Sequence, residues 1–392
     1  MGTYLNPDNS KFQESINSDI YVDKTGLITY TNSVIHTQQK CICVSRPRRF
    51  GKSMAANMLS AYYSRGCDSK ELFQNLEIAE DDQFETYLNQ YDVIFLNVQE
   101  FLSQSKNIDE MISLIRRSVL WDLLGEYPEF RYFDTSNLTR TMQDVYQQTK
   151  CPFVVIIDEW DCVFREYKTN RETQERYLDF LRDLLKDKGY IHLAYMTGIL
   201  PIKKYGTHSA LNMFDEFSMI EPGPLASYVG FTETEVQKLC GQYDMELEEV
   251  KNWYDGYSFD KALSVYSPRS VVSCMRLGKI GNYWNQTETF EALQVYIDMN
   301  FDGLKDDVLS MIAGNQVPVN IGSFTNDMTT FRSEDDVLTL LIHLGYLGYD
   351  SDNKAVFIPN GEIRSEYVKA VSVSDWGEVF GETGTGRGIE MG

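Results

Sequence analysis

Long apolar runs are missing from this chain. None approaches the roughly 18 residues that a membrane-spanning helix needs, so no such helix is expected. Histidine is scarce, at four residues in 392. His36, His192, His208 and His343 lie far apart in the sequence and suggest no metal site. Cysteine is modest and odd in number, at seven, and no pair has C-x-x-C spacing. Small buried hydrophobes in a reducing compartment are therefore expected, rather than zinc ligands or disulfides. Positive charge is in deficit: 36 Lys and Arg stand against 58 Asp and Glu, a net charge of −22. That charge repels a polyphosphate, so nucleic-acid binding is not expected unless a local patch overrides it. The start, Met1-Gly2-Thr3-Tyr4-Leu5-Asn6, has neither a basic n-region nor an apolar h-region, and Asn6 stands where myristoylation needs Ser or Thr. A cytoplasmic location is expected.

What the chain does hold is a globular composition, 43% hydrophobic and 24% charged, which excludes disorder over its bulk. At about 150 residues per domain, the length implies two to three domains. Between residue 38 and about 200, short apolar runs alternate with helical periodicity. Cys41-Ile42-Cys43-Val44, Val93-Ile94-Phe95-Leu96, Phe153-Val154-Val155-Ile156-Ile157 and His192-Leu193-Ala194-Tyr195-Met196 read as strands. Met54, Met58, Leu59 and Tyr62 mark one intervening helix. Ile108, Met111, Ile112, Ile115 and Val119 mark a second, and a third follows a cap at Asn137. A fourth carries Tyr177, Leu178, Leu181, Leu184 and Leu185. Such alternation predicts a parallel sheet covered on both faces.

Past about residue 218 the pattern becomes helical. Thr232-x-x-Glu235 is a capping box, and helices are expected over 246–254, 270–275, 290–299 and 304–312. A helix, a hairpin around Asp350-Ser351-Asp352-Asn353 and another helix suggest a winged-helix-like unit. Residues 333–370 hold seven acids and three bases, which favours protein packing over DNA. The expected organisation is 1–217 for the sheet domain, 218–330 helical, 331–371 winged-helix-like, and 372–392 a flexible Gly-rich tail.

The chemistry concentrates in two places. Residues 41–53 read as a strand, a basic loop and a helix start: Arg46-Pro47-Arg48-Arg49-Phe50-Gly51-Lys52-Ser53. Gly51 lets the backbone approach phosphate oxygens, and the helix N-terminus presents positive potential to an anion. Lys52 can neutralise β and γ phosphates, and Ser53 can offer a hydroxyl to Mg²⁺. The usual G-x-x-x-x-G-K-[ST] pattern has Arg46 at its first glycine. A basic surface turn or a nucleic-acid patch fits the loop alone. The strand ending in Asp158-Glu159-Trp160-Asp161 favours a nucleotide. There Asp158 can hold Mg²⁺ through water, and Glu159 can orient or deprotonate the attacking water. Thr197, ending the next strand, is either a γ-phosphate sensor or a turn residue. Lys203 and Lys204 follow it. Arg165, Arg171 and Arg176 are all candidates for a catalytic arginine, and the sequence selects none of them.

These segments occur in order with Tyr21-Val22-Asp23-Lys24-Thr25, Met196-Thr197-Gly198, Trp253-Tyr254-Asp255-Gly256-Tyr257-Ser258-Phe259 and Val265-Tyr266-Ser267-Pro268-Arg269-Ser270-Val271. Together they resemble the bacterial AAA-ATPase-like domain proteins, which often carry a C-terminal PD-(D/E)XK nuclease domain. The resemblance spans roughly residues 10–370. It implies an α/β P-loop NTPase fold with a parallel sheet and helices on both faces, then a mostly helical region with the winged-helix-like unit. It makes 46–53 the Walker A loop, with Arg46 the family's own form, and Asp158 with Glu159 the Walker B pair. It places Tyr21 to Thr25 near the nucleotide, and it prefers ATP to GTP. Nothing near the end resembles a nuclease metal site, so no nuclease activity is expected of this chain. The expected function is Mg²⁺-dependent ATP binding and hydrolysis, with Lys52 and Glu159 catalytic. The alternative is an ATP-dependent switch or interaction module with negligible turnover. Expected partners are ATP and a protein partner or second copy, with neither membrane nor nucleic acid.

Overall fold

The computed structural model describes residues 2–202, 211–259, 263–284, 293, 303–325 and 331–373. The helix expected over 290–299 (Leu293 apart), Lys203, Lys204 and the Gly-rich tail lie outside them. Contacts group the chain into two compact units, residues 2–231 and residues 232–324 with 331–373.

The first unit is built on five parallel strands: β1 (Cys41–Ser45), β2 (Asp92–Asn97), β3 (Phe153–Asp158), β4 (Ile191–Gly198) and β5 (Asp215–Phe217). Their order across the sheet is β2-β3-β4-β1-β5. Every residue of β1 and β3 is buried, as strands covered on both faces require. β4 lies between β1 and β3, in register Cys43↔Met196 and Ile157↔Met196. The carboxyl ends of these three strands therefore open side by side. β5 pairs with β1 at Ile42↔Asp215. It escapes the sequence reading because it is three residues long, partly exposed, and acidic at two of the three.

The helices named below are α1 (Gly26–Val34), α2 (Lys52–Tyr63), α3 (Ile108–Glu126), α4 (Leu138–Thr149) and α5 (Arg171–Leu185). One face of the sheet, including Cys41, Cys43, Ile94, Leu96, Val155, Ile157 and Met196, shares a core with α3, α4 and α5. Strand alternation turns Ile42, Val44, Val154 and Ile156 to the opposite face, where α2 contacts β2, β3 and β4. Asn137 caps α4 by accepting a hydrogen bond from Arg140 N. Met58, Leu59 and Tyr62 of α2 are buried as their spacing implied, but Met54 is 45% exposed. It lies in the first turn of the helix. All seven cysteines are free thiols, and five are buried. Among the described residues no helix is long and apolar enough to cross a membrane.

The second unit is mostly helical. Its first helix, Glu233–Tyr243, opens on the expected Thr232–Glu235 capping box. Helices Leu247–Tyr254, Pro268–Leu277 and Leu304–Ile312 follow. Helix Glu334–Leu344, the antiparallel hairpin Gly348–Asp350 with Ala355–Phe357, and helix Gly361–Val373 form the helix–hairpin–helix pattern. Val317–Pro318 adds a third strand to that hairpin. The Trp253 to Phe259 motif proves to be an internal brace of this unit. Gly256 has φ +119, and a Cβ there would lie 1.9 Å from Pro359 O. Tyr257 Oη donates to Gly345 O at 2.5 Å, and Tyr254 Oη to Gly281 O at 2.8 Å.

Candidate functional site

The loop between β1 and α2 turns on Gly51, whose φ of 92 lies in the left-handed region that suits glycine. Arg49 also holds a positive φ, of 70. The turn releases the chain into α2, whose first amides have no partner within the helix. Lys52 is 5% exposed, and its Nζ curls back to donate to Pro47 O at 3.0 Å. Among the described residues this is its one hydrogen bond. Burial pulls the Lys52 ammonium below its ordinary pKa, and the nearby carboxylates of Glu159, Asp161 and Asp158 work against that shift. Ser53 is exposed at the helix start, Arg48 is exposed, and Pro47 and Phe50 are buried.

Arg46 takes a different place from the rest of the loop. Its side chain is fully buried, and its Nη1 donates to Ser45 O at 2.9 Å and Phe217 O at 3.2 Å. It ties β1 to β5. Burial pushes its pKa down to about 10.

The acidic motif meets the loop from β3. Asp158 is 1% exposed, and its Oδ1 accepts from Thr197 Oγ1 at 3.0 Å and from Glu159 N at 3.0 Å. Among the described residues its Oδ2 accepts no hydrogen bond. Glu159 has φ +54, an uncommon conformation for a residue with a Cβ, and one that clusters at functional positions. Its Oε2 accepts from Arg165 Nη2. Asp161 is fully buried; its Oδ2 accepts from Leu200 N at 3.0 Å and lies 3.3 Å from Arg165 Nε. Backbone bonds Arg46 N to Gly198 O (3.1 Å) and Trp160 N to Thr197 O (3.0 Å) tie the ends of β1, β3 and β4 together.

The structure thus gathers Lys52, Asp158, Glu159 and Thr197, and adds Asp161 and Arg165. Asp161 stood in the sequence motif without a role, and only the fold could single out Arg165. Arg171 pairs with Glu175, and Arg176 with Asp109 and Glu172, all on the surface. The Tyr21 to Thr25 segment bonds within itself and to distant segments of the same unit: Asp23 accepts from Thr25 N and Oγ1 and from Glu77 N, and Lys24 donates to Ser227 O. It anchors the entry to α1.

Among the described residues no group of three or more His, Cys, Asp or Glu side chains is placed to hold a metal alone. Asp158, with one carboxylate oxygen that accepts no hydrogen bond among the described residues, is the kind of hard oxygen ligand that suits Mg²⁺, an ion that keeps several of its waters.

A family model described as AAA-ATPase-like, "Predicted AAA-ATPase", matches residues 9–207, and the chain belongs to that family. It is similar to an Azotobacter chroococcum protein described as an uncharacterized protein in the vnfD 5′ region, with 22% identity over 280 residues. That match covers 69% of this chain and 51% of the relative, so the chain spans about half the relative's length. Among solved structures, the Aeropyrum pernix ORC2 protein in ADPNP–ADP complexes aligns at 12% identity and TM-score 0.37, over 91% of this chain and 96% of that one. The Aeropyrum pernix ORC1 protein in complex with DNA aligns at 10% and 0.30, over 97% and 100%. Scores this low carry no argument about function.

Proposed function

We propose that this chain binds Mg²⁺–ATP at residues 46–53 and hydrolyses it. One observation carries the reading. Lys52 is a buried ammonium with a single backbone acceptor, at the start of α2, facing the carboxylates that end β3. A buried ammonium with unused donors gains by meeting an anion.

In this reading the amides opening α2 and the Lys52 ammonium bind the β and γ phosphates. Ser53 Oγ and Asp158 Oδ2 hold the Mg²⁺, which neutralises charge on the phosphates when bound. Thr197, which donates to Asp158 Oδ1, keeps that carboxylate oriented and acts as the γ-phosphate sensor. Glu159 orients the attacking water and accepts its proton. Pro47, Arg48, Arg49, Phe50 and Gly51 shape the cradle. Arg46 contributes through its backbone, since its side chain serves the sheet.

Calorimetric ATP binding and phosphate release on the same sample test this. Lys52→Ala is expected to abolish both. Glu159→Gln is expected to keep binding and slow turnover by about a hundredfold or more. Turnover unchanged in Glu159→Gln would refute the role of that residue. Lys52-dependent binding without turnover in the unaltered chain would leave the ATP-dependent switch.

A further inference from the structure

We infer that Arg165 is a positioning residue for hydrolysis, holding Glu159 in its working orientation; this rests on the reading of Glu159 given above. Glu159 follows β3 directly, on a bent backbone, and its side chain is 24% exposed. A free glutamate there samples several rotamers, and a water-orienting carboxylate needs one. Arg165 supplies the restraint from the short helix Cys162–Glu166. Its Nη2 donates to Glu159 Oε2, and its Nε forms an ion pair with Asp161 Oδ2 at 3.3 Å, without hydrogen-bond geometry.

Asp161 is itself fixed. It is fully buried, it accepts from Leu200 N just beyond β4, and a Cβ on Gly198 would stand 2.7 Å from its Oδ1. A continuous chain therefore runs from the end of β4 through Asp161 and Arg165 to Glu159. The planar guanidinium, with donors on two edges, can address both carboxylates at once; an ammonium on a flexible stem cannot hold that geometry. Among the described residues only Oε2 of Glu159 is engaged, which leaves Oε1 for water. Arg171 and Arg176, the other arginines just past the acidic motif, are engaged with surface acids instead.

The test compares the full chain with Arg165→Ala, Arg165→Lys, Glu159→Gln and the double variant Arg165→Ala/Glu159→Gln. ATP affinity and steady-state turnover are measured for each, with Lys52→Ala as the control. Arg165→Ala is expected to lower kcat by roughly a hundredfold at unchanged ATP affinity. The double variant is expected to be no slower than Glu159→Gln alone, because Arg165 acts through Glu159. Arg165→Lys keeps the charge in the fold and is expected to fall between the wild type and Arg165→Ala; it carries the test if the alanine variant does not fold.

Losses that multiply in the double variant would overturn the proposal. So would a faster Arg165→Ala, which would make Arg165 a brake, or an Arg165→Lys at the wild-type rate. Wild-type turnover that Lys52→Ala abolishes and Arg165→Ala leaves intact overturns this inference alone. Absence of Lys52-dependent turnover overturns the hydrolysis reading, and this inference with it.

Discussion

Glu362 shows how a single residue can carry a pH dependence. It is 1% exposed, and its carboxylate accepts from Ser270 Oγ at 2.7 Å, Tyr283 N at 2.6 Å and Trp284 N at 2.9 Å. Burial raises its pKa from 4.5 to about 7; the three hydrogen bonds pull the other way, and Glu366 adds to the rise. The folded state therefore holds this proton more tightly than the unfolded chain. Its contribution to stability is fully present below about 4.5 and is lost as pH rises through about 7, a swing of up to about 3 kcal/mol. In Glu362→Gln the amide oxygen keeps the backbone bonds and nothing titrates. Thermal unfolding of the two proteins between pH 4.5 and 8 is expected to show the wild type losing stability relative to the variant as pH rises. Parallel curves would show that Glu362 titrates normally. No sequence pattern announces such a group: Glu362 sits in an ordinary helical run, and only folding encloses it.

The same limit applies at the proposed nucleotide site. Lys52, Asp158 and Glu159 were legible because a strand, a loop and a helix, or a strand and an acidic end, are contiguous in the chain. Arg165 was not, since three arginines follow the acidic motif and only the turn after β3 decides which one meets Glu159. Arg46 was read as part of the nucleotide-binding loop by its place in the sequence, and its burial against β5 depends on a strand the pattern does not show.

At the scale of elements, the four apolar strands and the helices between them follow from residue periodicity, because a buried parallel strand is simply a run of apolar residues. The short pieces do not: β5 and Val317–Pro318 exist because a neighbouring strand accepts them. The Trp253 to Phe259 motif was visible but had no assigned role. Its glycine explains it. Helix Leu247–Tyr254 ends against the segment that leads into helix Gly361–Val373, and at Gly256 the backbones are too close for any side chain. Gly256→Ala puts a Cβ 1.9 Å from a carbonyl oxygen at φ +119, and backbone cannot yield as a side-chain tip does. The expected result is a loss of several kcal/mol, enough to unfold the second unit or leave it molten. Denaturant unfolding followed by tryptophan fluorescence checks this, since Trp253 and Trp284 report from that unit. A variant within about 0.5 kcal/mol of wild type would show that the turn relaxes freely.

Over the whole molecule, charge separates the nucleotide reading from a nucleic-acid one. Four of the residues 46–52 are basic, which on sequence alone admits a DNA-binding patch. The fold removes two of them from such a role. Arg46 is fully buried with its guanidinium on backbone carbonyls, and Lys52 is 5% exposed beneath its own loop. A duplex backbone, unlike a single triphosphate, cannot follow Lys52 into that enclosure. It would meet Arg48 and Arg49 on a chain of net charge −22. Counterion release from two contacts yields little binding, and long-range repulsion opposes even that. Fluorescence anisotropy of a labelled duplex is therefore expected to stay flat at about 10 μM protein and physiological salt, where ordinary non-specific binders already associate. A salt-dependent rise that Mg²⁺–ATP displaces would place DNA on the loop itself and reverse the assignment of Arg48 and Arg49.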